Sequence, residues 1–227
     1  MDLSLLSPPL WMELTAVVAG ALAGAAFGAT RGLDAVGIAA LAVVGGLGGG
    51  VLRDVLLRTI PLALTTPAYL YTAAAAALVG MFFGSLVDRL RLVLASIDTI
   101  ALGMFTLIGA SRALIFDLPL VSAIMLGVIT GVGGGLLLDV LVGDTPPKAF
   151  RRGAPYATAS LAGATTYVVL TDVTDIPENT VAVVAFFLVC LIRAIGLWRG
   201  WVTPGAVDLT PAEIRRHDPP TTVADPP

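Results

Sequence analysis

Gly46-Leu47-Gly48-Gly49-Gly50-Val51-Leu52-Arg53-Asp54-Val55-Leu56-Leu57-Arg58-Thr59-Ile60-Pro61 decides how this chain is read, because it occurs twice. The second copy is Gly131-Val132-Gly133-Gly134-Gly135-Leu136-Leu137-Leu138-Asp139-Val140-Leu141-Val142-Gly143-Asp144-Thr145-Pro146, shifted by 85 positions. The four glycines, the aspartate, the valine after it and the closing proline all recur in register. Both copies sit inside long apolar runs. Such a segment is a poor way to build an ordinary buried helix. Each glycine costs about 0.8–1 kcal/mol relative to alanine, and a charge at mid-membrane costs at least about 2.5–3.5 kcal/mol. Repeating the weakness at matched positions argues that it is used.

The surrounding chain has 227 residues, 57% of them apolar and 13% charged, with a mean hydropathy of +0.93. A soluble domain carries about 25% charged residues. Apolar runs of the roughly 20 residues that a bilayer requires fall near 10–30, 35–58, 67–87, 95–115, 120–143, 153–171 and 179–199. The expected fold class is therefore an all-α membrane protein with seven transmembrane helices. Short loops with Gly, Asp and Pro separate the runs. Residues 203–227 hold six prolines and many charges and read as a disordered tail. No Lys or Arg occurs in residues 1–11, which argues against a cleaved signal peptide. Cys190, the single cysteine, reads as a small core residue.

The 85-residue shift extends outside the glycine segment. Glu13 maps to Asp98, Gly24-Ala25 to Gly109-Ala110, and Tyr71 to Tyr156. Spans 1–3 and 4–6 thus form two repeats, with span 7 left over. An odd number of spans per repeat makes the second enter the membrane from the opposite side, an inverted-topology arrangement. The chain then divides into an N-terminal extracellular segment (1–9), a first repeat (10–87), a second (88–172), the seventh helix (173–202) and the tail (203–227). Arg31, Arg89, Arg91, Lys148, Arg151 and Arg152 fall in the first, third and fifth connections, whereas the opposite side has only Arg58 and Arg112. Positive-inside counting puts the N-terminus outside and the C-terminus in the cytoplasm.

Two readings compete for the glycines. Small residues let helices approach closely, and Gly20, Gly24 and Gly28 in span 1 fit that role. The consecutive, duplicated triplets Gly48–Gly50 and Gly133–Gly135 instead favour a bend or an unwound stretch. Carbonyls freed there would replace part of a cation's hydration shell, tolerable only against protein or a water-filled cavity. At membrane depth Glu13, Asp54, Asp98 and Asp139 face Arg53 and Arg193. Some of these form structural ion pairs, for instance Arg53 or Arg193 with Asp54 or Asp139. The surplus carboxylates are protonated or attract mobile cations. Glu13 and Asp98 lie near helix starts, where a carboxylate costs little, and are weaker candidates than Asp54 and Asp139. Arg112 reads as an interfacial snorkel. Thr106 and Thr130 are expected to bond back to their own backbone. Trp11, Trp198 and Trp201 read as interfacial anchors. The only histidine, His217, is in the tail, no Cys/His cluster could hold zinc, and no Lys-Ser/Thr follows the glycines as in a phosphate loop. The reading is not an enzyme, with no cofactor, no tightly bound metal and no nucleic-acid partner.

At the duplicated Gly-x-Gly-Gly-Gly-x-x-x-Asp segments, with Arg53-Asp54 and the downstream Pro61 and Pro146, the sequence resembles the prokaryotic branch of the trimeric intracellular cation (TRIC) channel family. The resemblance covers about residues 12–200. It implies a homotrimer among membrane lipids, each protomer with its own pore for monovalent cations, potassium foremost and sodium second. It also implies that spans 2 and 5 are kinked pore helices, a role that carries onto Gly48, Gly49, Gly50, Gly133, Gly134 and Gly135. Asp54 and Asp139 would set cation preference. Relatives are also catalogued as glycine transporters, so a proton-coupled carrier of a small solute stands as the alternative. A non-conducting assembly protein, with the glycines as pure packing, is a third. This chain departs from the Arg-Asp pattern in its second repeat, where Leu138 precedes Asp139.

Overall fold

A computed structural model describes residues 8–83, 91–144, 147, 149 and 155–200. Among these the chain forms eight helices: α1 (Leu10–Thr30), α2 (Ala35–Leu56), α3 (Leu62–Thr65), α4 (Pro67–Phe83), α5 (Arg91–Ile115), α6 (Leu120–Leu141), α7 (Ala157–Val173) and α8 (Glu178–Arg199). The four-residue α3 was not foreseen from the sequence. The tail at 203–227, most of the segment 1–9 and the repeat boundary at 87–88 lie outside the described residues.

Local sequence explains where the helices begin and end. Pro9, Pro119 and Pro177 occupy the N-caps of α1, α6 and α8, where a residue without an N–H gives up no helical bond. The Asp34 carboxylate caps α2 by accepting the Gly37 N–H at 2.8 Å. α8 ends on the left-handed Gly200 (φ 61°), and four further helices end on residues in the same region: Gly32 (φ 67°), Arg58 (57°), Asp117 (53°) and Gly143 (75°). At each of these four, the next amide reaches back to a carbonyl five residues earlier. These bonds are Leu33 to Gly28 (3.2 Å), Thr59 to Asp54 (2.9 Å), Leu118 to Ala113 (3.1 Å) and Asp144 to Asp139 (2.8 Å), the pattern that closes a helix with a Schellman turn. Gly32 matches Asp117, and Arg58 matches Gly143, under the same 85-residue shift.

Five helices, α1, α2, α5, α6 and α8, are long and apolar enough to cross a membrane. The 22 residues of α2 span about 33 Å at 1.5 Å per residue, against a hydrocarbon core of about 30 Å. The 17 residues described for each of α4 and α7 span about 26 Å. We call the end of the bundle where α1 begins and α2 finishes the upper end. α1 packs on α2, α4 and α5, α6 lies against both α2 and α5, and α7 and α8 close the other side against α5 and each other. Alanine and glycine make this packing close. A Cβ on Gly20 would come 2.5 Å from the Gly45 carbonyl oxygen, and one on Gly45 would come 2.6 Å from that of Gly20. The span 1 glycines are packing residues, as expected.

Candidate functional site

α2 and α6 cross antiparallel through the two glycine triplets, and the contact is reciprocal. A Cβ on Gly48 would lie 2.8 Å from Leu137 Cδ1, and one on Gly133 would lie 2.8 Å from Leu52 Cδ1. A Cβ on Gly49 would strike the Thr130 carbonyl oxygen, and one on Gly134 would sit 3.0 Å from the Gly45 carbonyl oxygen. Each contact becomes its partner under the 85-residue shift. Gly50 is the exception, with Arg53 Nη2 at 3.9 Å as the nearest atom to its Cβ position.

The expected unwound stretch is not there. Both helices run unbroken through their triplets, Ala35–Leu56 and Leu120–Leu141, so no carbonyl is freed for a cation. Glycine faces laid against each other gain close packing while every backbone bond is kept, whereas a broken turn would leave polar groups unpaired at several kcal/mol each. Nor are the aspartates at mid-span. Asp54 and Asp139 each lie in the final turn of their helix, with α2 ending at Leu56 and α6 at Leu141. They sit at opposite ends of the crossing, 4% and 1% exposed.

At the upper end α1, α2, α4 and α5 gather Glu13, Arg53, Asp54, Tyr69 and Arg112. Arg53 Nε donates to Asp54 Oδ1 at 2.8 Å, with both side chains buried. The second carboxylate oxygen, Oδ2, accepts the Leu62 N–H at 2.8 Å. A carboxylate in a last turn opposes the helix dipole. Arg53 and the first amide of α3 offset that, and they hold the turn at Thr59–Pro61 against α2. Glu13 accepts from Arg112 Nη2 at 3.0 Å and from the Tyr69 hydroxyl. Gly50, Arg53, Asp54, Glu13 and Tyr69 line a void of about 20 Å³, room for about one water.

At the lower end α5, α7 and α8 bring Asp98, Tyr156 and Arg193 together. Arg193 Nη2 donates to Asp98 Oδ2 at 3.4 Å, its guanidinium lies 4.8 Å from the Tyr156 ring centre, and the Tyr156 hydroxyl donates to Asp98 Oδ1 at 3.3 Å. Each end thus has one carboxylate held by one tyrosine and one arginine. Also at this end Arg31 of the α1–α2 turn pairs with Asp144 after α6.

Of the expected ion pairs, Arg53–Asp54 forms, but Arg193 pairs with Asp98 rather than with Asp54 or Asp139. Glu13 lies in the first turn of α1, as expected, but at 3% exposed it is central to a cluster rather than a cheap carboxylate. Asp98 lies well inside α5, which begins at Arg91, rather than near its start. Arg112 is the ion-pair partner of Glu13, not a free snorkel. The tyrosine equivalent to Tyr156 is Tyr69, because Tyr71 is 75% exposed. Its signal was present in the sequence but offset by two residues, since helix rotation and not chain position decides which tyrosine faces inward. Thr106 and Thr130 do bond back, to Leu102 and Leu126 carbonyls at 2.7 Å each.

This chain matches the family model described as glycine transporter over residues 10–85 and 95–172. The chain belongs to that family. Among its curated relatives are a UPF0126 membrane protein of Deinococcus radiodurans, 36% identical over 68% of this chain and 72% of the relative, and the UPF0126 inner membrane protein YadS of Escherichia coli K12, 28% identical over 81% and 88%. As in other members of the family, the apolar helices make this an integral membrane protein. Its fold is that of the TRIC cation channels. It superposes on the TRIC orthologue from Rhodobacter sphaeroides with a TM-score of 0.78 and 32% identity, over 85% of this chain and 98% of that one. On a prokaryotic TRIC channel crystallised in 0.5 M KCl the TM-score is 0.75 with 26% identity, over 88% and 98%.

Proposed function

We propose that the protein is a monovalent-cation channel, permeable to potassium and less so to sodium, with one pore in each protomer of a homotrimer in a prokaryotic plasma membrane. The observation that carries this reading is the reciprocal α2–α6 glycine crossing with a buried aspartate, Asp54 or Asp139, at each of its two ends. The neighbours that share the fold are described as cation channels. The helix order fits two inverted three-helix repeats, α1, α2, α4 and α5, α6, α7, followed by α8 as the seventh span. Loop charge puts the upper end outside.

In this reading the path follows the α2–α6 seam, with Gly48, Gly49, Gly50, Gly133, Gly134 and Gly135 at its waist. The helices touch there, so conduction requires them to slide or part. Faces without Cβ atoms present few steric steps to such a movement. Asp54 is committed to Arg53 and Leu62, so it acts through its field at the outer mouth. Asp139 supplies the negative potential at the inner one, and positive charge gathers where such carboxylates line a low-dielectric opening. Purified protein in a planar bilayer under asymmetric KCl is expected to show unitary openings that reverse near the potassium potential. Asp139→Asn is expected to shift that reversal toward zero by reducing cation-over-anion preference. An unchanged reversal potential would remove Asp139 from the selectivity role.

The family description favours one second reading, a secondary transporter of glycine or a similar small solute with buried carboxylates as proton carriers. A silent bilayer together with saturable, pH-dependent glycine uptake into liposomes would decide for it.

A further inference from the structure

We infer that α3 is a lid: it closes the upper mouth of the proposed path and is latched by Asp54, so that opening the mouth and baring this carboxylate to cations are one movement. What the lid gates rests on the channel reading above. The lid itself rests on the contacts of the segment between α2 and α4.

Arg53 and Asp54 lie in the last turn of α2, yet they are only 2% and 4% exposed. The chain keeps them covered by folding back over them. It reverses at Arg58, in the left-handed region, and is extended at Pro61 (φ −52°, ψ 129°). It then forms α3 and is extended again at Thr66 (φ −121°, ψ 103°) before α4. Leu62 and Ala63 of α3 line the void that Gly50, Arg53, Asp54, Glu13 and Tyr69 also line. Gly50 adjoins the crossing glycines Gly48 and Gly49, which places this void beside the α2–α6 seam.

A short turn between two non-helical joints is built to swing as a unit. Little holds this one shut. Its outer side is bare, with Ile60 70% and Leu64 71% exposed, and Ala63 is the one buried residue of α3. The polar ties of the segment to α2 converge on a single residue. Asp54 Oδ2 accepts the Leu62 N–H at 2.8 Å, and the Asp54 carbonyl accepts the Thr59 N–H at 2.9 Å and the Thr59 hydroxyl at 3.2 Å. With so little apolar area buried, a hydrogen bond to a carboxylate is a large part of the hold.

The latch is also the charge. While Leu62 occupies Oδ2 and Arg53 occupies Oδ1, Asp54 reaches the path only through its field. Lifting α3 withdraws the Leu62 N–H and leaves Oδ2 free for water or an entering cation. Arg53 stays on Oδ1, so the carboxylate keeps its place at the mouth.

Leu62→Pro tests the latch, because it removes the N–H and leaves every charge in place. Proline suits the first position of a helix, and Pro61 already has the extended backbone that a following proline requires. The reporter is Ala63→Cys in a Cys190→Ser background, read as the rate of maleimide labelling of the purified protein in detergent. The thiol at position 63 is expected to label slowly, and about tenfold faster once Leu62→Pro is added, the order of factor that one such hydrogen bond carries. Ala101→Cys, buried in α5, is expected to keep its rate, and equal acceleration at both positions would mean general loosening and overturn the lid. In planar bilayers Leu62→Pro is expected to raise open probability several-fold at unchanged unitary current. Should Leu62→Pro not fold, the Ala63→Cys protein alone gives the second measurement, with maleimide expected to modify its current faster where open probability is greater. Labelling at position 63 that ignores Leu62→Pro, or that is independent of open probability, would overturn the lid. Faster labelling at an unchanged open probability would overturn its role as the gate. Faster labelling with silent bilayers would keep the lid and overturn the channel reading instead.

Discussion

Arg58 holds a left-handed backbone with φ of 57° at the end of α2, where the matching position after α6 is Gly143. A side chain with a Cβ in that region costs about 1–2 kcal/mol, while glycine adopts it freely. Arg58→Gly is therefore expected to stabilise the protein by about 0.5–1 kcal/mol once the added freedom of the unfolded chain is counted, read as a higher unfolding midpoint in detergent. A lower midpoint would mean that the Arg58 side chain contributes more than its backbone costs. The sequence could not disclose this strain, because the turn is visible only once the Thr59 amide is seen on the Asp54 carbonyl. Single residues were legible where partners are adjacent, as with Arg53 and Asp54. They were illegible where partners lie far apart in the chain, as with Arg112 and Glu13 or Arg193 and Asp98.

For the helices, the glycine triplets mark the α2–α6 contact, and of the two consequences expected of them, a bend or an unwound stretch, the unwound stretch is absent because both helices are continuous there. Three consecutive glycines look alike in sequence whether they bend a helix or receive a neighbour, and only the facing helix distinguishes the cases. Gly49 and Gly50 separate the two uses within one triplet. A Cβ at 49 meets the rigid Thr130 carbonyl, whereas one at 50 meets only the tip of Arg53 at 3.9 Å. Gly49→Ala is expected to lose about 1–3 kcal/mol through overpacking of the α2–α6 contact. Gly50→Ala is expected to be neutral or to gain up to about 1 kcal/mol from helix propensity. Unfolding midpoints of the two variants would check this, and equal losses would mean that backbone flexibility, not contact, is what the triplet provides. If Gly50→Ala keeps its stability but loses conductance, the hinge reading returns at that one position.

Across the whole molecule, the 85-residue shift is the feature that sequence conveyed best, because it survives at several independent levels. The ends of α2 and α6, the left-handed caps and the glycine contacts follow it, the tyrosine–carboxylate–arginine clusters keep it to within a few positions, and α4 and α7 depart from it. The seven-span topology with inverted repeats makes a claim that this correspondence does not itself test, namely which loops share a side of the membrane. The Arg31–Asp144 pair requires that the α1–α2 turn and the segment after α6 lie at one end. In a Cys190→Ser background, single cysteines at Leu33 and Asp144 are expected to react with a membrane-impermeant maleimide only from the cytoplasmic side. Cysteines at Ile60 and Asp175 are expected to react only from outside. Labelling of Leu33 and Asp144 from opposite sides would break the span count and with it the inverted repeat. Labelling of both from outside would keep the repeat and reverse the orientation, placing Asp139 at the external mouth and Asp54 at the internal one. The selectivity experiment on Asp139→Asn would then report on the entry of cations from the medium rather than from the cytoplasm.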